Sequence, residues 1–300
     1  MPLCVVGSLA IDHLITPRGE YPNCLGGSAA YFAYVASFFA PVRLVGVVGE
    51  DFPEAHMDLF RSRKVIDVSG VQRKPGKTFY WKGKYSDDMN SRETLDVQLN
   101  VFGEFQPTVP ESFKDSEYVF LGNAPPAVQR QVLQQIPKPR LSVADTMDLW
   151  INIAKPELLA LLKEVDGVVM NDSEATLLTG DKTMVGAGRR ILDLGPKFVV
   201  VKKGEHGAML FSEFGVVTTP AYPIEDLIDP TGAGDTFAGG MMGYLASVGR
   251  LDHAAFKRAL AYGTVVASFT CEGFSLDRLK KLTRRDVEER FVLFREMLNL

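Results

Sequence analysis

Two hydrophobic patterns run along the chain. The first is a series of short apolar runs at 3–9, 43–48, 118–121, 141–144, 167–170, 198–203 and 209–211. Such runs, bounded by Gly, Pro or charge, predict strands buried on both faces. Between them lie helix-length stretches: from Gly26 and Gly27 to about 39, from the 49–53 loop to about 64, after Pro125 and Pro126, and at 155–163. Later helices are predicted at 236–246, 254–269 and 284–298, the last a charged amphipathic cover. Strands separated by helices of this length imply crossover connections, hence an α/β fold around a parallel sheet. The second pattern occupies 71–105, where polar residues alternate with apolar ones, as in Thr78-Phe79-Tyr80-Trp81-Lys82 and in 94–101. Period-two alternation predicts strands with one wet face, a different kind of sheet from the first.

Composition narrows the class. A chain of 300 residues with 46% hydrophobic content suits one large domain plus an accessory piece. A formal net charge of −4, without a basic tail, argues against a nucleic-acid partner, because phosphate-backbone affinity needs concentrated Lys and Arg. Cys4, Cys24 and Cys271 are odd in number and lack paired metal-ligand spacing, which points to thiols in a reducing compartment. The opening Met1-Pro2-Leu3-Cys4 has no charged leader, and no apolar run reaches membrane-spanning length; the expectation is a soluble, cytoplasmic protein without a membrane partner.

Candidate chemistry concentrates in the stretch from Ile228 to Gly240. Gly232 and Gly234 free the backbone to turn its N–H groups toward one point, and the Ala- and Met-rich continuation forms a helix. Unpaired amides and the positive dipole end at a helix start suit a phosphoryl group. Asp235 sits among those donors, either as a plain N-cap or as a base that takes a proton from an attacking hydroxyl. Elsewhere, Asp12 follows the first strand as turn former or hydroxyl ligand, and Asn123 and Asp145 close their strands as caps or site residues. Asn171 and Glu174 have the spacing of a capping box. Gly204-Glu205-His206-Gly207 reads as a turn between strands. Two other motifs are excluded: no Gly-x-Gly-x-x-Gly follows the first strand, and five residues separate Gly70 from Gly76-Lys77 where a P-loop needs four.

The string Asp229-Pro230-Thr231-Gly232-Ala233-Gly234-Asp235-Thr236-Phe237-Ala238-Gly239-Gly240 resembles the C-terminal signature of the ribokinase-like, or phosphofructokinase B-type, carbohydrate kinases. Leu25-Gly26-Gly27 resembles the N-terminal signature of that family, and Asn171-x-x-Glu174 its magnesium motif. The resemblance implies a three-layer sandwich, with a central mostly parallel sheet flanked by helices and a small β-sheet lid. The large domain would take 1–11, 22–70 and 106–300, and the lid 12–21 and 71–105. It further implies ATP-dependent phosphorylation of a sugar or nucleoside hydroxyl. Asp235 would be the base, and residues Gly232, Ala233 and Gly234 the anion hole. Asp12, Gly26, Gly27 and Asn123 would line the acceptor pocket. Lys202, Gly204, Gly207, Thr231 and Gly273 would lie on the nucleotide side, while Asn171 and Glu174 would order the water shell of Mg2+. Asp229 and Thr231 match a site that holds K+ in some members, and a homodimer through the lid is implied. The chain departs from the family where many sugar kinases carry asparagine: here stand Ala30, Tyr31 and Phe32, which leaves the acceptor open. Lys77, Lys82, Lys84 and Arg92 of the lid either face solvent or meet the substrate. A non-catalytic sugar- or nucleotide-sensing protein on the same scaffold is the alternative, although a sensor has no need of a base.

Overall fold

The computed structural model describes residues 1–87, 89 and 92–298. Among these, the strands in chain order are β1 Leu3–Val6, β2 Ala10–Thr16, β3 Gly19–Gly26, β4 Val42–Val48, β5 Ile66–Arg73, β6 Phe79–Tyr85 and β7 Arg92–Gln98. There follow β8 Tyr118–Leu121, β9 Leu141–Asp145, β10 Gly167–Asn171, β11 Phe198–Lys202, β12 Ala208–Ser212 and β13 Gly215–Thr219. They form a nine-stranded sheet in the order β13-β12-β11-β10-β9-β8-β1-β4-β5 and a four-stranded sheet in the order β3-β2-β6-β7. From β11 to β5 every neighbouring pair of the large sheet is parallel, and the hairpin strands β12 and β13 close one edge antiparallel.

Helices cover both faces of the large sheet, and the alternation of side chains along each strand divides the core accordingly. On β1, Leu3 and Val5 enter one apolar cluster with the helices Ser28–Ala36, Ala233–Val248 and His253–Cys271. Cys4 and Val6 enter the other, against the helices Pro126–Gln135, Lys155–Leu162 and Met184–Leu192. The rings of Phe32 and Phe120 stack at 4.1 Å between a helix and the sheet centre, neither exposed. Cys4, Cys24 and Cys271 are free thiols. No described helix is long and apolar enough to cross a membrane.

Several boundaries differ from the sequence expectation for local reasons. The apolar run at 3–9 is two elements, because Gly7 and Ser8 leave the sheet. The Ser8 N–H donates to Ser28 Oγ (3.3 Å), and the Ser28 N–H returns to Ser8 Oγ (3.0 Å). Ala10 then begins a strand of the second sheet, so Asp12 lies within a strand and not in a turn. That sheet also takes in β3 as far as Gly26, which the expected boundary at 22 gave to the large domain. In the opposite sense, β5 belongs to the large sheet; its broken apolar pattern is that of an edge strand paired only with β4. The helix expected from 236 starts at Ala233, and the turn at 204 contains a short 3-10 segment, Gly204–His206.

The Phe32–Phe120 stack locks a helix to the middle of the large sheet. Phe120→Ala is expected to lower unfolding free energy by about 3–5 kcal/mol through lost burial and a residual cavity, a change that urea denaturation followed by circular dichroism measures.

Candidate active site

Parallel strands bring their carboxyl ends to one edge of the sheet, and there the chain places polar residues that end otherwise apolar strands. Asp145 ends β9, Asn171 ends β10 and Lys202 ends β11. Asn171 is in register with Lys202, and Val169 with Asp145, so the three polar ends share that edge. Lys202 reaches toward the start of the helix Ala233–Val248: its Nζ lies 3.7 Å from Asp145 Oδ2, and a Cβ added at Gly234 would stand 2.8 Å from it. Burial alone would lower the pKa of the Lys202 ammonium, yet Asp145, Glu174 and Asp235 together raise it. Lys202 is therefore paired with Asp145 and shared electrostatically with Glu174 and Asp235.

The acids respond in the opposite sense to the same crowding. Burial, followed by the charge of Asp145, pushes both Asp235 and Glu174 up to about 7, against the pull of Lys202 and Arg92. Burial likewise raises Asp145, with Lys202 opposing it. On the facing strand β2, buried Asp12 is pushed up to about 8 by burial, then by Asp229 and, more weakly, Asp235. Five carboxyls thus face two nearby cations, Lys202 and Arg92. The arrangement disfavours full ionisation until a further cation enters.

Asn171 and Glu174 form the capping box expected from their spacing. Asn171 Oδ1 accepts the Glu174 N–H at 2.7 Å, and Glu174 Oε2 accepts the Asn171 N–H at 2.7 Å. Asn171 Oδ1 also accepts the Ser173 hydroxyl at 2.7 Å, whereas the Glu174 carboxylate keeps lone pairs free, and the nearby Asp145 carboxyl adds charge. This hard-oxygen set suits a divalent ion that keeps its water shell.

The loop before Ala233 is shaped by one glycine. Gly232 has φ 76°, in the left-handed region, and a Cβ there would stand 2.4 Å from the Tyr31 ring, so the loop rests directly on that ring. The Ala233 N–H donates to the Pro230 carbonyl at 3.0 Å. Of the three residues expected to offer amides to an anion, Gly232 and Gly234 therefore keep theirs without an internal acceptor among the described residues, whereas Ala233 does not. Asp229 is buried beneath, its Oδ1 accepting the Thr231 N–H (2.9 Å) and its Oδ2 the Ser275 N–H (3.3 Å).

The remaining expected residues are placed less uniformly. Gly26 ends β3 so close to Asp12 that a Cβ would overlap the carboxyl, at 2.0 Å from Oδ2. Gly27 caps the helix Ser28–Ala36, and Ser28 Oγ donates to the carbonyl of Asn123 (3.4 Å). The Asn123 side chain is occupied, with Oδ1 accepting the Trp150 indole N–H at 2.8 Å and Nδ2 donating to Met147 Sδ at 3.0 Å. Gly204 and Gly207 flank the turn directly after Lys202. Gly273 follows Cys271, whose carbonyl accepts the N–H groups of Ile228 and Asp229. Sequence reasoning left Asp145 undecided and did not single out Tyr85 or Ser275. The signal for Asp145 was the polar end of a buried strand; neutral Tyr85 and Ser275 carried none.

The nine-stranded sheet with its four-stranded companion defines the ribokinase-like class of α/β kinases. It superposes on the putative ribokinase II of E. coli solved with ATP and Mg2+, with a TM-score of 0.79 at 19% identity, covering 97% of this chain and 98% of that one. The nucleoside kinase of Methanocaldococcus jannaschii matches with a TM-score of 0.77 at 20% identity, over 97% and 98% of the two chains. The sequence profile described as pfkB family carbohydrate kinase matches residues 3–279, and the chain belongs to that family: it is a phosphotransferase acting on an alcohol group. The cytidine kinase of Thermococcus kodakarensis is 34% identical over 253 residues, which cover 81% of this chain and 87% of the relative.

The displaced titration of Asp12 has a measurable consequence. Its folded-state pKa of about 8 lies above the ordinary carboxylate value, so the native state holds a proton that the unfolded chain releases. Stability from this group is then present below the unfolded value and is lost as pH rises toward 8. Asp12→Asn, which mimics the neutral acid, is expected to raise Tm relative to the parent at pH 8 and leave it unchanged at pH 4, as read by differential scanning fluorimetry.

Proposed function

We propose that the chain is an ATP-dependent kinase that phosphorylates a ribose hydroxyl of a nucleoside by in-line transfer, with Asp235 as general base. The observation that carries this reading is the position of Asp235. It lies in the first turn of the helix Ala233–Val248, beside the free amides of Gly232 and Gly234 and close enough to Lys202 for the two charges to interact. A carboxyl raised to about 7 by burial and by Asp145 is matched to accepting a proton near neutral pH.

The division of labour follows from the geometry. Asp12, facing Gly26 across a gap too small for any side chain, orients the acceptor hydroxyls. Asp235 takes the proton of the attacking hydroxyl as its oxygen meets the γ-phosphorus of ATP. The Gly232 and Gly234 amides, the helix dipole and Lys202 stabilise the negative charge that grows on the transferring group. Asn171 and Glu174, with Asp145 nearby, would hold hydrated Mg2+, which supplies charge neutralisation on the ATP phosphates. Gly204, Gly207 and Gly273 border the nucleotide side of the same edge.

The nucleoside assignment rests on two supports. One is the likeness to a cytidine kinase at 34% identity. The other is the second sheet, where Trp81 is in register with Asp12 on the neighbouring strand and so projects from the same face. The Arg92 guanidinium stands 5.4 Å from the centre of the Trp81 ring. An aromatic and a cation beside the hydroxyl anchor suit a base attached to a ribose.

Coupled ADP release with ATP and Mg2+, across cytidine, other nucleosides, free sugars, sugar acids and sugar phosphates, tests the reading. A nucleoside is expected to give the fastest turnover. Asp235→Asn is expected to lower kcat by about 100-fold or more, in the range general-base catalysis contributes, while ATP binding persists. The parent's kcat/KM is expected to fall as pH drops below about 7, where Asp235 becomes protonated. ATP binding with no turnover on any acceptor would favour the sensing protein instead.

A further inference from the structure

We propose that Tyr85, on the second sheet, is a positioning residue for phosphoryl transfer: it holds the 229–234 loop in register through Thr231, so that docking of the second sheet assembles the phosphoryl cradle. The inference rests on the kinase reading above and adds to it a coupling between the acceptor-binding sheet and the amides that stabilise the transferring group.

The contact that carries it is a hydrogen bond between sheets. Tyr85 is the last residue of β6, and its hydroxyl lies 2.7 Å from Thr231 Oγ1, in a buried setting. Thr231 directly precedes Gly232, so a shift of Thr231 moves the amides of Gly232 and Gly234. Thr231 is held from two sides: its hydroxyl meets Tyr85, and its N–H donates to Asp229 Oδ1 at 2.9 Å.

The other end of the network returns to the same sheet. Asp229 Oδ2 accepts the Ser275 N–H at 3.3 Å, and Ser275 Oγ donates to the Leu25 carbonyl of β3 at 2.7 Å. Two strands of the second sheet, β6 through Tyr85 and β3 through Leu25, thus grip one loop from two sides. Apolar packing accompanies the grip: Leu14, Tyr85 and Met89 form a small buried cluster, and Leu227, two residues before the loop, packs against it. From below, the Tyr31 ring abuts Gly232. The Tyr85 hydroxyl is buried, so it works through Thr231 and not by touching substrate.

The test compares Tyr85→Phe, Thr231→Val and the double variant, with the best acceptor from the panel above. Tyr85→Phe keeps the ring and its packing. It is expected to lower kcat about tenfold, the order expected for one net hydrogen bond, with the ATP dissociation constant and Tm within twofold and about 2 °C of the parent. The double variant is expected to be no slower than the slower single one, because both remove the same link. A kcat for Tyr85→Phe within twofold of the parent, or additive losses in the double variant, would overturn the proposal while leaving the kinase assignment intact. If the parent turns over no acceptor, the kinase reading fails, and the link is read by hydrogen exchange of the 229–236 amides without substrate. Faster exchange in Tyr85→Phe supports the link, and equal exchange overturns it.

Discussion

The structure depends on how one buried ammonium is shared. Lys202 stands at the end of β11 among Asp145, Glu174 and Asp235, paired with Asp145 at 3.7 Å and interacting at longer range with the other two. A buried charge without a partner is costly, and three acids around one base leave net negative charge in a place of low dielectric. The parallel sheet and the helix Ala233–Val248 hold these groups together. The raised pKa values of Asp235 and Glu174 are the same imbalance seen from the acid side.

A second constraint is that the candidate site residues come from two separate sheets. Asp12 belongs to the four-stranded sheet, while Asp145, Asn171 and Lys202 belong to the nine-stranded one. The 229–234 loop lies at the junction and is bonded to both sides. Its carboxylate, Asp229, organises the loop through backbone amides, a use that needs only burial and geometry. The two sets of candidate site residues, one on each sheet, meet at that loop.

The legibility of this arrangement in the sequence was uneven, for definite reasons. Continuous apolar strands and helix-length spacers identified the parallel sheet, since a strand buried on both faces has almost no other composition. The edge strand β5 escaped notice because it is buried on one side only, and the run at 3–9 was read as one strand because the exchange between Ser8 and Ser28 that splits it joins residues twenty apart. Glycine motifs located Gly26 and Gly232, where close approach or positive φ disfavours a side chain, and Gly234, whose bare Cα leaves room for Lys202 Nζ. The same motif did not reveal that the Ala233 amide turns back to Pro230.

By itself, then, the sequence determined the layered α/β architecture, the helix start that carries Asp235, the capping box of Asn171 and Glu174, and the family. Those features are local: they depend on side-chain periodicity, backbone freedom and spacing within one turn. Tertiary structure alone decided that Asp145 and Lys202 sit against Asp235, that Asn123 is tied to Trp150, and that Tyr85 reaches Thr231. Each of these joins elements far apart in the chain, and only the register of strands and the seating of one sheet on the other bring them within bonding distance.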